Sequence, residues 1–143
     1  MVIKTKKILA PLDGSKNSIR GLDMAIHIAR QSHGTIIALS VKSVPGIYAL
    51  HPLGFLDFNS MTEVKKLLAD AKVRAAKKGI QLSGKSLAGD PGYDIARFAN
   101  NKKNEIDLVV IGARGRGSAK EIFLGSTSNY VLHKSKKPVL IVK

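Results

Sequence analysis

The chain contains no cysteine and no tryptophan. Without thiols it has no disulfide framework, no thiolate nucleophile and no cysteine-ligated zinc, which suits a reducing compartment. Long hydrophobic runs are missing too. The opening MVIKTKKILAPLD holds only a few apolar residues after its lysines and runs straight into a proline and an acid. A signal peptide needs a longer apolar region and a membrane span far more, so the expected location is the cytoplasm, with no membrane partner. Acids are scarce: 10 Asp plus Glu stand against 24 Lys plus Arg, a net charge of +14. Such a field attracts nucleotides, nucleic acid or anionic membrane. A solvated basic exterior accounts for the same number, so composition alone does not choose a partner.

Several catalytic and binding motifs are absent as well. There is no GxxxxGK[ST] loop, no GxGxxG after the first strand, no GxSxG elbow and no HExxH pair among His27, His33, His51 and His133. No RRM-like aromatic motif, helix-turn-helix or zinc finger accompanies the basic charge.

What is present is a regular alternation. The 143 residues, 44% of them hydrophobic, suit one domain spanning 1–143. Ile8 to Leu12 is a short apolar run that stops at Asp13-Gly14-Ser15, a turn with helix-start chemistry. Ile19, Leu22, Ile26 and Ala29 recur at helical spacing, and Gly34 ends that helix. Thr35 to Val44 is β-branched and reads as a buried strand; Pro45 to Phe58 reads as a long loop. Met61, Val64, Leu68, Ala71 and Ala75 mark a second helix, closed by Gly79 and followed by a strand over Ile80 to Leu87. The turn Gly89-Asp90-Pro91-Gly92 leads into a short helix with Ile95, Phe98 and Ala99. Asp107 to Gly112 is a fourth strand, Ser126 to His133 a last helix, and Pro138 to Val142 the closing strand. The order βαβαβαβαβ calls for an α/β fold, a doubly wound parallel sheet with helices on both faces.

In open sheets of this kind ligands bind beyond the C-terminal strand ends, where strand order reverses. If the first and fourth strands are the central neighbours, Asp13-Gly14 meets the stretch Gly112-Ala113-Arg114-Gly115-Arg116-Gly117-Ser118 there. That stretch runs on to Gly125-Ser126-Thr127-Ser128 and enters a helix. Glycines permit turns at positive φ and close backbone approach. Hydroxyls at a helix N-terminus favour phosphate, and Arg114 and Arg116 can add charged contacts. The same residues read blandly are a flexible connector; the hydroxyl cluster opening a helix favours a phosphate cradle. Asp13 is either a helix-start acid or an acceptor for a sugar hydroxyl or a base amine, and the two roles are compatible.

The spacing Gly112-x2-Gly115-x9-Gly125-Ser126 resembles the signature G-x2-G-x9-G-[ST] of the ATP-binding branch of the universal stress protein family. The opening KKILAPLDGS, the Gly89-Asp90-Pro91 turn and the closing KKPVLIV resemble that family as well. The resemblance implies a three-layer fold of the adenine nucleotide alpha hydrolase kind, its five-stranded parallel sheet ordered 3-2-1-4-5. It implies ATP as ligand, with Mg²⁺ or Mn²⁺. Asp13 would contact the adenosine, with Ala10 and Pro11 beside it and Val41 meeting the adenine through its backbone. Gly112, Arg114, Gly115, Gly125, Ser126 and Thr127 would hold ribose and phosphates, with Ser128 assisting. The family usually carries valine or a similar residue near Pro11. It also commonly forms homodimers through the last strand, and an apolar edge over 138–142 gives an independent reason to expect one, although Lys136, Lys137 and Lys143 guard that edge and suit a monomer equally.

Asp13 has no evident base partner, so the expectation is a nucleotide-dependent stress-response or signalling module with at most slow ATP hydrolysis. The alternative is a basic protein that binds polyanions or nucleic acid without a nucleotide ligand.

Overall fold

A computed structural model describes residues 4–44, 58–115 and 124–143. The segment 45–57, with His51, and Arg116 to Ser118 of the glycine-rich stretch lie outside the described residues. The elements run β1 (Lys7–Pro11), α1 (Lys16–Ser32), β2 (Thr35–Ser43), α2 (Phe58–Ala76), β3 (Leu82–Gly89), α3 (Pro91–Asn100), a 3₁₀ turn (Lys102–Asn104), β4 (Leu108–Gly112), α4 (Ser126–Lys134) and β5 (Val139–Val142). All neighbouring strands pair in parallel, in the order β3-β2-β1-β4-β5.

Strand periodicity divides the core in two. Ile8, Ala10, Ile36, Ala38 and Val110 face α1 and α2, while Leu9, Ile37, Leu39, Val109 and Ile111 face α3 and α4. Full burial of Ile8, Leu9, Leu22, Ile36, Leu39, Val109, Val110 and Val131 stabilises the fold by about 1.5–3 kcal/mol each. The alanines of β1 and β2 let α1 lie close to the sheet. At Gly21 the approach is so tight that a Cβ would stand 3.2 Å from the backbone nitrogen of Gly112.

The structure departs from the sequence reading around α2 at both of its ends and in one residue's exposure, and β3 runs on to Gly89, expected in the turn. Ile80, expected to open the third strand, closes α2 instead: its N–H donates to the Ala75 carbonyl (3.0 Å) while Gly79, at φ 73°, donates to Ala76 (2.9 Å). That pair of bonds with a left-handed glycine is a Schellman end, and it holds the apolar side chain in the core. Met61 is 40% exposed, because it sits in the first turn of α2 and the buried positions begin later, at Ala71 and Ala75. Phe58 opens α2 and does not close the preceding loop.

Candidate functional site

The site begins with a parting of strands. β1 and β4 pair only at Ile8↔Leu108 and Leu9↔Val109, although both strands continue. The Leu12 N–H donates to Leu39 on β2 (2.9 Å), so by alternation the backbone of Pro11 faces β4. Proline has no N–H to offer there, and no ladder bond is missed. Beyond Leu9 and Val109 a cleft of about 320 Å³ opens, at the lower end of the ~300–1,000 Å³ usual for small-molecule sites.

Of the residues singled out from the sequence, Pro11, Asp13, Val41, Gly112, Arg114, Gly115, Gly125, Ser126, Thr127 and Ser128 all line this cleft. Ala10 does not; its side chain is fully buried in the α1-side core.

Asp13 stands ahead of α1 without capping it. Ser15 is the cap, accepting from the Ser18 N–H (3.1 Å), and Asp13 Oδ1 accepts from the Ser15 N–H (2.9 Å) across Gly14 at φ 84°. The other carboxylate oxygen lies against Gly115, where an added Cβ would collide with it.

The glycines work differently from the sequence expectation. Among the described residues the left-handed glycines are Gly14 and Gly79, so Gly112 and Gly115 provide room, not positive φ, and Gly125 is needed for neither. A Cβ on Gly112 would lie 2.7 Å from the backbone of Asn17. Gly125 is the N-cap of α4, in an extended conformation that any residue can adopt (φ −64°, ψ 160°).

Three helices present their N-termini to the cleft, and two of them are closed. Ser15 caps α1, and Asp90 caps α3 by accepting from Tyr93 (3.1 Å). No side chain caps α4 among the described residues. Its opening turn therefore directs N–H groups and the positive end of the helix dipole into the cleft. Ser126 is exposed and Thr127 half-buried. Ser128 is 2% exposed, and its hydroxyl lies 2.7 Å from the Ala113 carbonyl and 3.1 Å from that of Gly125. That hydroxyl donates to backbone, so Ser128 fastens α4 to the end of β4 and offers a ligand only its N–H.

The opposite wall is apolar: Leu39, Val41, Pro91, Ile95 and Ile111. Sequence reasoning missed Leu39, Pro91, Ile95 and Ile111 as site residues, because an apolar residue at a strand or helix end looks like core. The Gly89-Asp90-Pro91 turn carried the available signal. Asp94, largely buried, accepts from the Asp90 N–H (2.9 Å) and from Arg97 (3.0 Å), and its carboxylate fills the space that a Gly89 side chain would need. Pro91 is thus held rigidly against the cleft. The described histidines stand elsewhere: His33 ends α1 in a left-handed conformation, His133 is in the last turn of α4 and His27 lies on α1. No helix among the described residues is long and apolar enough to cross a membrane.

The profile of the Universal stress protein family matches residues 4–143. Universal stress protein YxiE of Bacillus subtilis is 36% identical, over 96% of this chain and 98% of its own length. Among solved structures, universal stress protein UspA from Lactobacillus plantarum superposes with a TM-score of 0.86 at 26% identity, covering 98% of this chain and 99% of its own. The universal stress protein from Archaeoglobus fulgidus in complex with dAMP has a TM-score of 0.73 at 26% identity, covering 99% of this chain and 100% of its own.

Proposed function

The chain belongs to the universal stress protein family, and on that premise we propose that its cleft binds an adenine nucleotide, ATP with Mg²⁺ or Mn²⁺, as the control ligand of a cytoplasmic, homodimeric stress-response or signalling module. The observation that carries this reading is the N-terminus of α4, which no side chain caps among the described residues and which opens onto the same cleft as Asp13 and the apolar wall. Phosphates sit on the N–H groups of Ser126 to Ser128 with the Ser126 and Thr127 hydroxyls, and Arg114 adds a charge-assisted contact. Asp13 accepts from a ribose hydroxyl. The base lies along Val41, Pro91 and Ile95, whose apolar surface suits an aromatic face. The dAMP complex of the Archaeoglobus fulgidus protein supports an adenine nucleotide as the class of ligand.

The described residues contain no cluster of three acids or histidines that could cage a metal. A divalent ion here would be held mainly by the phosphates and water, the usual arrangement for Mg²⁺, with Asp13 the nearest carboxylate. It would supply charge neutralisation between phosphates. Hydrolysis is at most slow, since Asp13 has no evident partner to activate water.

Calorimetry with ATP and Mg²⁺ tests the reading. Saturable binding by the wild-type chain, lost in a folded Gly115→Val, Ser126→Ala variant, is the expected result. A folded wild-type chain that binds no adenine nucleotide would overturn it.

A further inference from the structure

A second charged site lies at the other end of the sheet. Helices α1 and α2 run back against the strands, so their C-terminal turns sit beside the strands' N-terminal ends, away from the cleft. Between those turns is an open groove of about 460 Å³, lined by Asp23, His27, Arg30, Arg74, Lys77 and Lys78, with Ile26 its one apolar residue among those described. Four fixed cations therefore face one carboxylate.

That carboxylate is already occupied. Asp23 receives Arg74 Nε at 2.6 Å and Arg74 Nη2 at 2.8 Å, a two-point contact that fixes the guanidinium plane. The hydrogen bond to Asp23 also pushes the Arg74 pKa above its ordinary value, so this cation keeps its charge. Arg30, Lys77 and Lys78 face no carboxylate within ion-pair distance among the described residues. The backbone carrying Lys77 and Lys78 is rigid. Lys77 donates to Val73 (3.0 Å), Lys78 to Ala75 (3.0 Å), and the turn closes on Gly79 and Ile80.

Cations in the last turn of a helix complement its dipole, which explains Arg30 on α1 and Arg74 on α2 one at a time. It does not explain their gathering in one groove with two further lysines beyond the end of α2. Cations that line one groove repel one another and suit a ligand with several adjacent negative charges.

We propose that the groove between the C-terminal turns of α1 and α2 is a second anion site that takes a compact oligophosphate chain. Among the described residues no Phe, Tyr or Trp lines the groove and His27 is the one ring there, so its four cations, and not a stacking platform, set the class of ligand. A nucleic-acid duplex is the poorer fit, because even single DNA-binding modules cover roughly 600–1,000 Å² of surface. Arg74, held by Asp23, acts as the fixed point, and Arg30, Lys77 and Lys78 close on the chain from both helices.

The probe is inorganic triphosphate, titrated into the full chain carrying Gly115→Val and followed by amide chemical shifts. Saturable shifts at Arg30, Lys77 and Lys78 are expected, since the cleft substitution is remote from the groove. An Arg30→Gln, Lys78→Gln variant should bind about tenfold more weakly or worse, each lost contact being charge-assisted, and should keep wild-type ATP affinity at the cleft. Undiminished triphosphate binding in that variant, shifts confined to residues 112–128, or no saturation would each overturn the proposal. So would single-stranded DNA that shifts the same amides and is not displaced by triphosphate. Failure here leaves the nucleotide reading untouched. Because a groove that takes triphosphate would also meet that of ATP, nucleotide binding in the cleft is then scored in the Arg30→Gln, Lys78→Gln chain, so the two readings fail separately.

Discussion

Gly112 and Gly115 stand three residues apart, and both lack room for a side chain, yet their substitution has different consequences. At Gly112 the obstacle is the backbone of Asn17 and Ser18, at 2.7 and 3.0 Å from an added Cβ, and backbone inside a capped helix does not yield. Gly112→Ala should therefore cost about 1–3 kcal/mol through overpacking, read as a lowered midpoint in urea unfolding. At Gly115 the obstacle is the far end of the Asp13 side chain, which can swing away. Gly115→Ala should leave the unfolding midpoint nearly unchanged and weaken ATP by displacing that carboxylate. Equal loss of stability in the two variants would contradict this contrast. The glycine spacing was legible in the sequence; the reason for it was not. A glycine that avoids a neighbour is written the same way as one that needs positive φ, and only Gly14 and Gly79 proved to be of the second kind among the described residues. The hydroxyl cluster was similarly mute. Ser126, Thr127 and Ser128 read alike, but the helix turns Ser128 inward onto the Ala113 and Gly125 carbonyls. Ser128→Ala should accordingly destabilise the fold by about 0.5–1.5 kcal/mol, measured by thermal unfolding, because both carbonyls keep a backbone donor, Gly125 on Ala113 and Asn129 on Gly125.

Among the elements, α4 differs from α1 and α3 in what begins it. Ser15 and Asp90 close two helices with their own oxygens, while Gly125 leaves the third open. An added Cβ at Gly125 meets Arg114 and Ala113 at 3.4–3.5 Å, ordinary contact, and its backbone angles suit any residue. Gly125→Asp is therefore expected to fold with unchanged or slightly raised thermal stability, a cap residue gaining a few tenths of a kcal/mol over glycine. Its carboxylate would occupy the N–H groups and repel phosphate, so calorimetry should find ATP binding abolished. Retained affinity would remove α4 from the site. Elements were the most legible feature of this chain, since the periods of Ile19–Ala29 and Thr35–Val44 are long and unbroken. The slip at Ile80 has a physical source: a side chain that seals a helix end is as apolar as one that starts a strand. The apolar wall of the cleft was hidden for a related reason. Ile111 and Leu39 continue strands whose preceding residues are core, and only the parting of β1 from β4 turns them toward a ligand.

For the whole molecule, charge and sheet edges decide what it meets. The outer strands are unlike: β3 carries Ser83, Lys85 and Ser86, all exposed, whereas β5 is Val-Leu-Ile-Val with Leu140 exposed and its neighbours half-buried. Tyr130 and Leu132 are exposed on α4. In the homodimer proposed above this apolar edge would pair with the matching strand of a second copy. Lys136, Lys137 and Lys143 flank it, so pairing brings like charges together and salt should relieve their repulsion. The dimer is thus expected to tighten as ionic strength rises, while anion binding at either site weakens. Sedimentation equilibrium separates these trends. The wild type should exceed its 15.4 kDa chain mass most clearly at high salt, and Leu140→Lys should sediment as a monomer throughout with ATP affinity retained. A wild-type chain that remains at monomer mass at every salt concentration would mean that the lysines guard the edge and the nucleotide acts on a single copy.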